Sequence, residues 1–191
     1  IAGMLAPGLA AWGKYVSVPK EAAIVEAVGQ QWQWAFRYPG PDGVLGAAAV
    51  KYVTPENVLG LDPLDPYGRD DLPVGAGDLR LPGDKPVKIV LRSKDVLHDF
   101  YVPEFRAKMD LVPGLVAYFW MTPTRAGTFD ILCAELCGTG HHEMRGKVVV
   151  ESARTFADWQ AQQVSFAQIL ADMPWAALSV MLIKANACTI S

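Results

Sequence analysis

The sequence predicts an all-β fold, a sandwich or barrel of short strands, on three grounds. Beyond Pro19 the apolar residues recur in short strand-length runs separated by Gly-, Pro- and Asp-rich turns. Trp32, Trp34, Phe36 and Tyr38 alternate with Gln33, Ala35 and Arg37, which places four aromatic rings on one face of a strand. Beyond Pro19, helix-like composition follows only after Ser152.

In chain order, residues 1–18 open with an apolar run, Ile1 to Trp12, followed by Gly13-Lys14-Tyr15. That pattern matches the end of a transmembrane helix at an aromatic and basic interface, leading into a linker. Residues 19–152 carry the strands. Ile24 to Val28 is the first and Gln31 to Tyr38 the second, ended by Pro39-Gly40-Pro41-Asp42-Gly43. Pro55 to Gly83 reads as a long irregular loop. Strands resume at Val87 to Leu91, Asp99 to Val102, Leu115 to Met121, Thr128 to Leu132 and Gly146 to Glu151. Residues 153–191 form a helical C-terminal extension, with Thr155 near the first helix start and a packed helix within 165–185.

With 191 residues the chain holds one domain with a sizeable core plus flanking structure. A net charge of −3 without any Lys/Arg cluster argues against a nucleic-acid partner. The charge is uneven: Glu56 to Asp84 holds seven acids against two bases, a surplus of five negative charges. Such a segment is either a solvated loop or a docking face for a basic protein. Three cysteines are too few for a disulfide scaffold, and Cys133 and Cys137 lie four apart, a spacing that invites metal or redox chemistry.

The run Cys133-Ala134-Glu135-Leu136-Cys137-Gly138-Thr139-Gly140-His141-His142-Glu143-Met144 concentrates two thiols, imidazole and a thioether. These are soft or borderline ligands that suit copper better than hard cations. Gly138 and Gly140 free the backbone to turn His141 and Met144 back toward the sulfurs. His98, far upstream at a strand start, supplies a further imidazole. A mononuclear blue-copper site would leave the second cysteine unused, and a tetrahedral zinc site would leave Met144 unused. Two copper ions bridged by both thiolates use every group. His142 reads as a bystander because adjacent side chains diverge.

The motif Cys133-Ala-Glu135-Leu-Cys137-Gly-x-x-His141-x-x-Met144 resembles the copper-binding loop of cytochrome c oxidase subunit II. Asp95-Val96-Leu97-His98 resembles that family's upstream ligand segment, and Gly29-Gln30-Gln31-Trp32-Gln33-Trp34 its aromatic stretch. Lys108-Met109-Asp110-Leu111-Val112-Pro113-Gly114 and Pro123-Thr124-Arg125-Ala126-Gly127 fit its intervening strands and turns. Quinol-oxidising relatives share the fold and lack these ligands.

The resemblance implies a cupredoxin-like Greek-key β-barrel and a dinuclear Cu-A centre. His98, Cys133, Cys137, His141 and Met144 would be side-chain ligands, with Glu135 as the carbonyl ligand. The Glu135 carboxylate would help to hold a magnesium ion at the boundary with subunit I. Trp32 would be the entry point for electrons from cytochrome c, passed on to the haem of subunit I for reduction of oxygen in a proton-translocating complex. Asp62, Asp65, Asp70, Asp71 and Asp95 would dock the lysine-rich face of cytochrome c. The family further implies upstream membrane helices and a location on the periplasmic or intermembrane side of the inner membrane. At the other end, Lys184-Ala185-Asn186-Ala187-Cys188 resembles the approach to a fused cytochrome c domain's haem motif, but Ser191 stands where Cys-x-x-Cys-His needs its second cysteine. No covalent haem is therefore expected.

Two rivals come from other classes. A copper-delivery or thiol-redox protein would use Cys133 and Cys137 as a reversible pair, ordinarily on a thioredoxin-like fold whose parallel-sheet pattern is missing from this sequence. A zinc-stabilised binding module would use the two cysteines with His98 and His141.

Overall fold

The computed structural model describes residues 2–186; Cys188 and Ser191, on which the haem-motif reading falls, lie outside them. Helix α1 (Ala2–Val16) projects Met4, Leu5, Leu9 and Trp12 outward, all strongly exposed. It is tied to the domain where the Trp120 indole donates to the Lys14 carbonyl at 3.1 Å. Among the described residues no helix is long and apolar enough to cross a membrane.

Ten strands follow: β1 (Ala23–Gln30), β2 (Gln33–Tyr38), β3 (Leu72–Val74), β4 (Leu79–Pro82), β5 (Val87–Ser93), β6 (His98–Val102), β7 (Ala107–Leu111), β8 (Ala117–Met121), β9 (Gly127–Cys133) and β10 (Arg145–Glu151). They form two five-stranded sheets, β3-β2-β1-β5-β8 and β4-β10-β9-β6-β7. The pairings are mostly antiparallel, with β1–β5 and β4–β10 parallel. One shared core joins the sheets: Val25, Phe36, Ile89 and Leu91 from the first meet Phe100, Ile131, Val148 and Leu81 from the second. On β5 the contribution follows strict alternation, with buried and half-buried residues in turn over Val87–Ser93.

Two strands depart from the sequence reading. The short strands β3 and β4 lie inside the Pro/Gly/Asp-rich stretch expected to be irregular, whereas β7 falls on the stretch 108–114 that the resemblance placed among strands and turns. Turn residues dominate the sequence around β3 and β4, so edge pairing to β2 and β10, rather than intrinsic propensity, sets them. Trp32 also departs, because β2 begins at Gln33. Trp34, Phe36 and Tyr38 share the core face as expected, while Gln30 pairs with Gln33 and leaves Trp32 in the turn between β1 and β2.

After Glu151 come α2 (Ala153–Gln160), α3 (Phe166–Asp172) and α4 (Trp175–Asn186). Ser152 caps α2 by accepting from the Thr155 N–H, and Ser165 with Gln168 forms a capping box on α3. The apolar stretch of 165–185 is therefore two helices. These helices cover the outer face of the first sheet: Phe166, Leu170, Met173 and Met181 bury Val28, Ala35, Leu59 and Leu61 in a second core. That cover explains why β2 is buried on both faces.

Beside that second core lies a buried charge network. Arg37 pairs with Glu26 and Asp71, each at 2.8 Å, and Arg92 reaches the other oxygen of Glu26. Asp71 is wholly buried, which corrects its assignment as a docking acid: a carboxylate enclosed by Arg37 and the Gly46 N–H presents no charge to a partner. Burial, opposed by Arg37 and the Gly46 N–H, pushes its carboxyl up to about 6. Between roughly pH 4 and that value the folded chain keeps a proton that the unfolded chain has released, so stability falls as pH rises through the window. Asp71→Asn is expected to flatten that part of the curve. It should also lower the unfolding free energy at pH 7 by about 3 kcal/mol through an uncompensated Arg37, read by urea denaturation across pH.

Candidate metal centre

The strand ladder brings the chemistry together before any loop is considered. Phe100 on β6 pairs with Cys133 on β9, and His98 lies two residues before Phe100, so imidazole and thiol share one face. Beyond Cys133 the chain loops out and returns as a short 3₁₀ turn, His141–Glu143, with Met144 directly before β10. The Cys133 N–H donates to the Met144 carbonyl at 3.3 Å and closes the loop's neck.

Where this loop meets the start of β6 the five side chains converge. The two sulfurs lie 3.7 Å apart, His98 Nδ1 is 3.9 Å from the Cys133 sulfur, and His141 Nδ1 is 3.6 Å from the Cys137 sulfur. Met144 Sδ is 3.9 Å from Cys137, and the Glu135 carbonyl oxygen is 3.2 Å from Cys133. Thus a ring nitrogen flanks each sulfur, and a thioether and a carbonyl complete the cluster. His98, Cys133, Cys137 and Met144 are buried, while His141 and Glu135 are half-buried. The ligand atoms of His98, Cys133 and Cys137 all lie within 4.8 Å of one another. His142 and its Glu143 neighbour point to solvent.

This donor set fits a soft metal. Sulfurs 3.7 Å apart match two thiolates sharing an ion at bond lengths of about 2.3 Å. Both cysteines are free thiols, and burial with the adjacent Cys133 pushes the Cys137 thiol up to about 11. Thiolates form there when a cation replaces the protons.

Around the cluster, Trp32 caps the loop. Its indole N–H donates to the Cys137 carbonyl at 3.3 Å, and the Gln31 side-chain amide donates to the same oxygen at 2.8 Å. Gly138, at φ +125°, and Gly140 make room for the ring: a Cβ on Gly140 would lie 2.4 Å from Trp32 Cδ2. Trp32 is 39% exposed, an accessible edge beside the half-buried His141 and Glu135.

Asp95, expected among the docking acids, remains exposed and is also engaged here. One oxygen accepts from His98 Nε2 at 2.8 Å and the other from the Gln31 N–H at 2.7 Å. Burial opposes its ionisation, but the Gln31, His98 and Val96 donors hold its pKa below the usual carboxylate range. Asp62, Asp65 and Asp70 also serve local structure, accepting from the Tyr52 hydroxyl, the Ala47 and Tyr67 N–H groups, and the Asp42 N–H respectively. Asp70 lies past the Tyr38 end of β2, against Gly40 and Asp42, at the opposite end of that strand from Trp32.

Sequence reading missed two participants. Gln31 binds the loop through its side chain and Asp95 through its backbone; the sequence places it in the aromatic stretch but gives it no role of its own. Asp99, directly after His98, is fully buried and ion-paired to Lys108, with burial raising its pKa. An acid within an otherwise apolar strand was the available signal.

Two mixed sheets around one core, closed at one end by a soft-ligand loop, define a cupredoxin-like domain with a candidate metal centre. The model of the cytochrome c oxidase subunit II periplasmic domain matches residues 23–153, and the chain belongs to that family. The "alternative cytochrome c oxidase subunit 2" of Bradyrhizobium diazoefficiens is 59% identical over 167 residues, 87% of this chain and 60% of the relative. Cytochrome c oxidase subunit 2 of Thermostichus vulcanus is 31% identical over 144 residues, covering 75% of this chain and 34% of the relative. The chain thus spans only part of the length of these relatives. Among solved structures, the periplasmic domain of subunit II of cytochrome oxidase from Bradyrhizobium japonicum superimposes with a TM-score of 0.56 at 28% identity, covering 76% of this chain and 95% of that one. A mixed-disulfide intermediate between a thioredoxin-like protein and subunit II of cytochrome c oxidase superimposes at 0.53 with 26% identity, covering 80% and 95%.

The notch for Trp32 yields a direct test. Gly140→Ala should force the indole off the loop, lowering stability by about 1–3 kcal/mol and opening the ring to solvent. Thermal melts and acrylamide quenching, compared against Trp32→Phe, read both effects.

Proposed function

We propose that the chain is the electron-accepting domain of a cytochrome c oxidase, with a dinuclear copper centre held by His98, Cys133, Cys137, His141, Met144 and the Glu135 carbonyl. The observation that carries this reading is the pair of buried sulfurs 3.7 Å apart with an imidazole nitrogen beside each. A bound copper pair would supply a one-electron carrier whose charge is shared over two metals, so that bond lengths change little on reduction. The chain's own residues do the rest. The β6–β9 ladder and the loop neck fix the ligands in place, the barrel end excludes water, and Trp32 offers an exposed π-system in contact with the Cys137 carbonyl.

On this reading a basic cytochrome c docks over Trp32, and Asp62, Asp65 and Asp70 act as longer-range attracting charges. Electrons continue to the haem of subunit I, and the half-buried Glu135 presents its carboxylate to a magnesium ion shared with that subunit. On the same reading helix α1 belongs to a membrane anchor, and the domain lies on the periplasmic side of the inner membrane. The likeness to the mixed-disulfide structure supports an additional step before metal loading. A thioredoxin-like dithiol would reduce a Cys133–Cys137 disulfide to two thiols, itself becoming oxidised.

Metal analysis of the purified chain after copper titration tests the assignment. Two coppers per chain, a purple colour and a delocalised mixed-valence EPR signal are expected; one zinc, or no metal, overturns it. Cys137→Ser should abolish that spectrum, whereas Met144→Leu should retain copper at an altered reduction potential. Trp32→Ala should keep both coppers and slow electron entry, measured by stopped-flow oxidation of cytochrome c with the whole oxidase.

A further inference from the structure

We propose that Asp95 is a positioning residue for electron entry, one carboxylate that clamps the His98 imidazole and the Trp32 turn to each other. The inference rests on the dinuclear copper reading and assigns a role that a docking acid does not have.

The geometry consists of two hydrogen-bonded arms from a single side chain. Asp95 Oδ1 accepts from His98 Nε2 at 2.8 Å and from the Val96 N–H at 2.7 Å, while Oδ2 accepts from the Gln31 N–H at 2.7 Å. The first arm leaves Nδ1 of His98 facing the Cys133 sulfur, which fixes the ring's tautomer and makes Nδ1 the better donor to a metal. The second arm holds the residue before Trp32. Gln31 and Trp32 in turn both donate to the Cys137 carbonyl, so the path returns to the ligand loop. His98 and Cys137 come from distant stretches of chain, and this ring of hydrogen bonds ties both to the exposed tryptophan.

The segment carrying Asp95 is itself held. The Lys94 N–H donates to the Gly29 carbonyl at 3.1 Å, and the Ser93 hydroxyl bonds the Val96 carbonyl. The carboxylate therefore sits at a junction between β1 and β6 and cannot drift from either arm without breaking backbone contacts. Oδ1 takes two donors and Oδ2 one, while the residue stays exposed, so Asp95 can present its charge to a partner and hold both arms at once; a clamp and a docking charge differ here in when they act.

That difference separates the two roles experimentally. A docking charge acts on encounter, so its removal matters at low ionic strength and fades as salt screens it. A clamp acts on the site after encounter, and its removal persists at any ionic strength.

The test uses Asp95→Asn and Asp95→Glu in the whole oxidase and Asp95→Ala in this chain without metal. In the metal-free chain, Asp95→Ala should speed hydrogen exchange at the Gln31 amide at least tenfold. If that variant does not fold, the near-isosteric Asp95→Asn serves in its place. In the copper-loaded oxidase, Asp95→Asn should raise the copper reduction potential, shift its absorption bands and slow electron entry from reduced cytochrome c at least tenfold. The slowing should persist at high ionic strength, and Asp95→Glu should restore part of it. An unchanged potential and spectrum, with a rate defect that disappears at high salt, overturns the clamp in favour of docking. A wild-type chain that takes up no copper pair sinks the dinuclear reading, while the Gln31 exchange result still decides whether Asp95 holds the turn.

Discussion

Two buried thiols lie 3.7 Å apart at the barrel end, where they cannot both ionise without a compensating cation, and much of the architecture answers that constraint. Burial already holds the Cys137 proton tightly. A cluster of this kind needs side chains that arrive fixed, because every rearrangement inside a close-packed interior displaces its neighbours. The solution takes one imidazole from the start of β6 and the remaining groups from a single loop between β9 and β10. Ladder pairing of Phe100 with Cys133 then sets the distance between the two sources without help from flexible side chains.

Around the ligands lies a second layer whose residues point outward chemically rather than inward. Trp32 is expelled from the β2 face by the turn geometry and received by the Gly138–Gly140 backbone, where larger residues would collide with it. Gln31 and Asp95 fasten this cap to both halves of the ligand set. An exposed aromatic ring is ordinarily a mobile surface group. Here it is held against the loop by hydrogen bonds from two adjacent residues to one carbonyl.

Farther from the loop, the acidic segment turns out to be structural in large part. Asp71 neutralises Arg37 inside the protein, and α3 begins by donating its Phe166 and Ala167 N–H groups to the Asp71 and Arg69 carbonyls. The C-terminal helices thereby lock the long segment after β2 against the first sheet. They bury Leu59 and Leu61 together with Val28 and Ala35, residues that would otherwise lie on an open sheet face. A stretch that looks like a solvated or partner-seeking loop is in this way part of a second core.

What the sequence determined by itself is the inventory: an all-β body, read from period-two patterning, and a soft-ligand set, read from Cys133, Cys137, His141 and Met144 lying within one short loop. Local spacing suffices there because the loop is shorter than any route by which those groups could part. What only the tertiary structure decided is everything that depends on which distant segments meet. The partner of Asp71, the place of Trp32 outside its strand, the strands hidden among turn residues and the two-armed grip of Asp95 all follow from strand pairing across the chain. Charge and hydropathy are properties of a residue, whereas burial and hydrogen bonding are properties of its neighbours, and those neighbours come from tens of residues away.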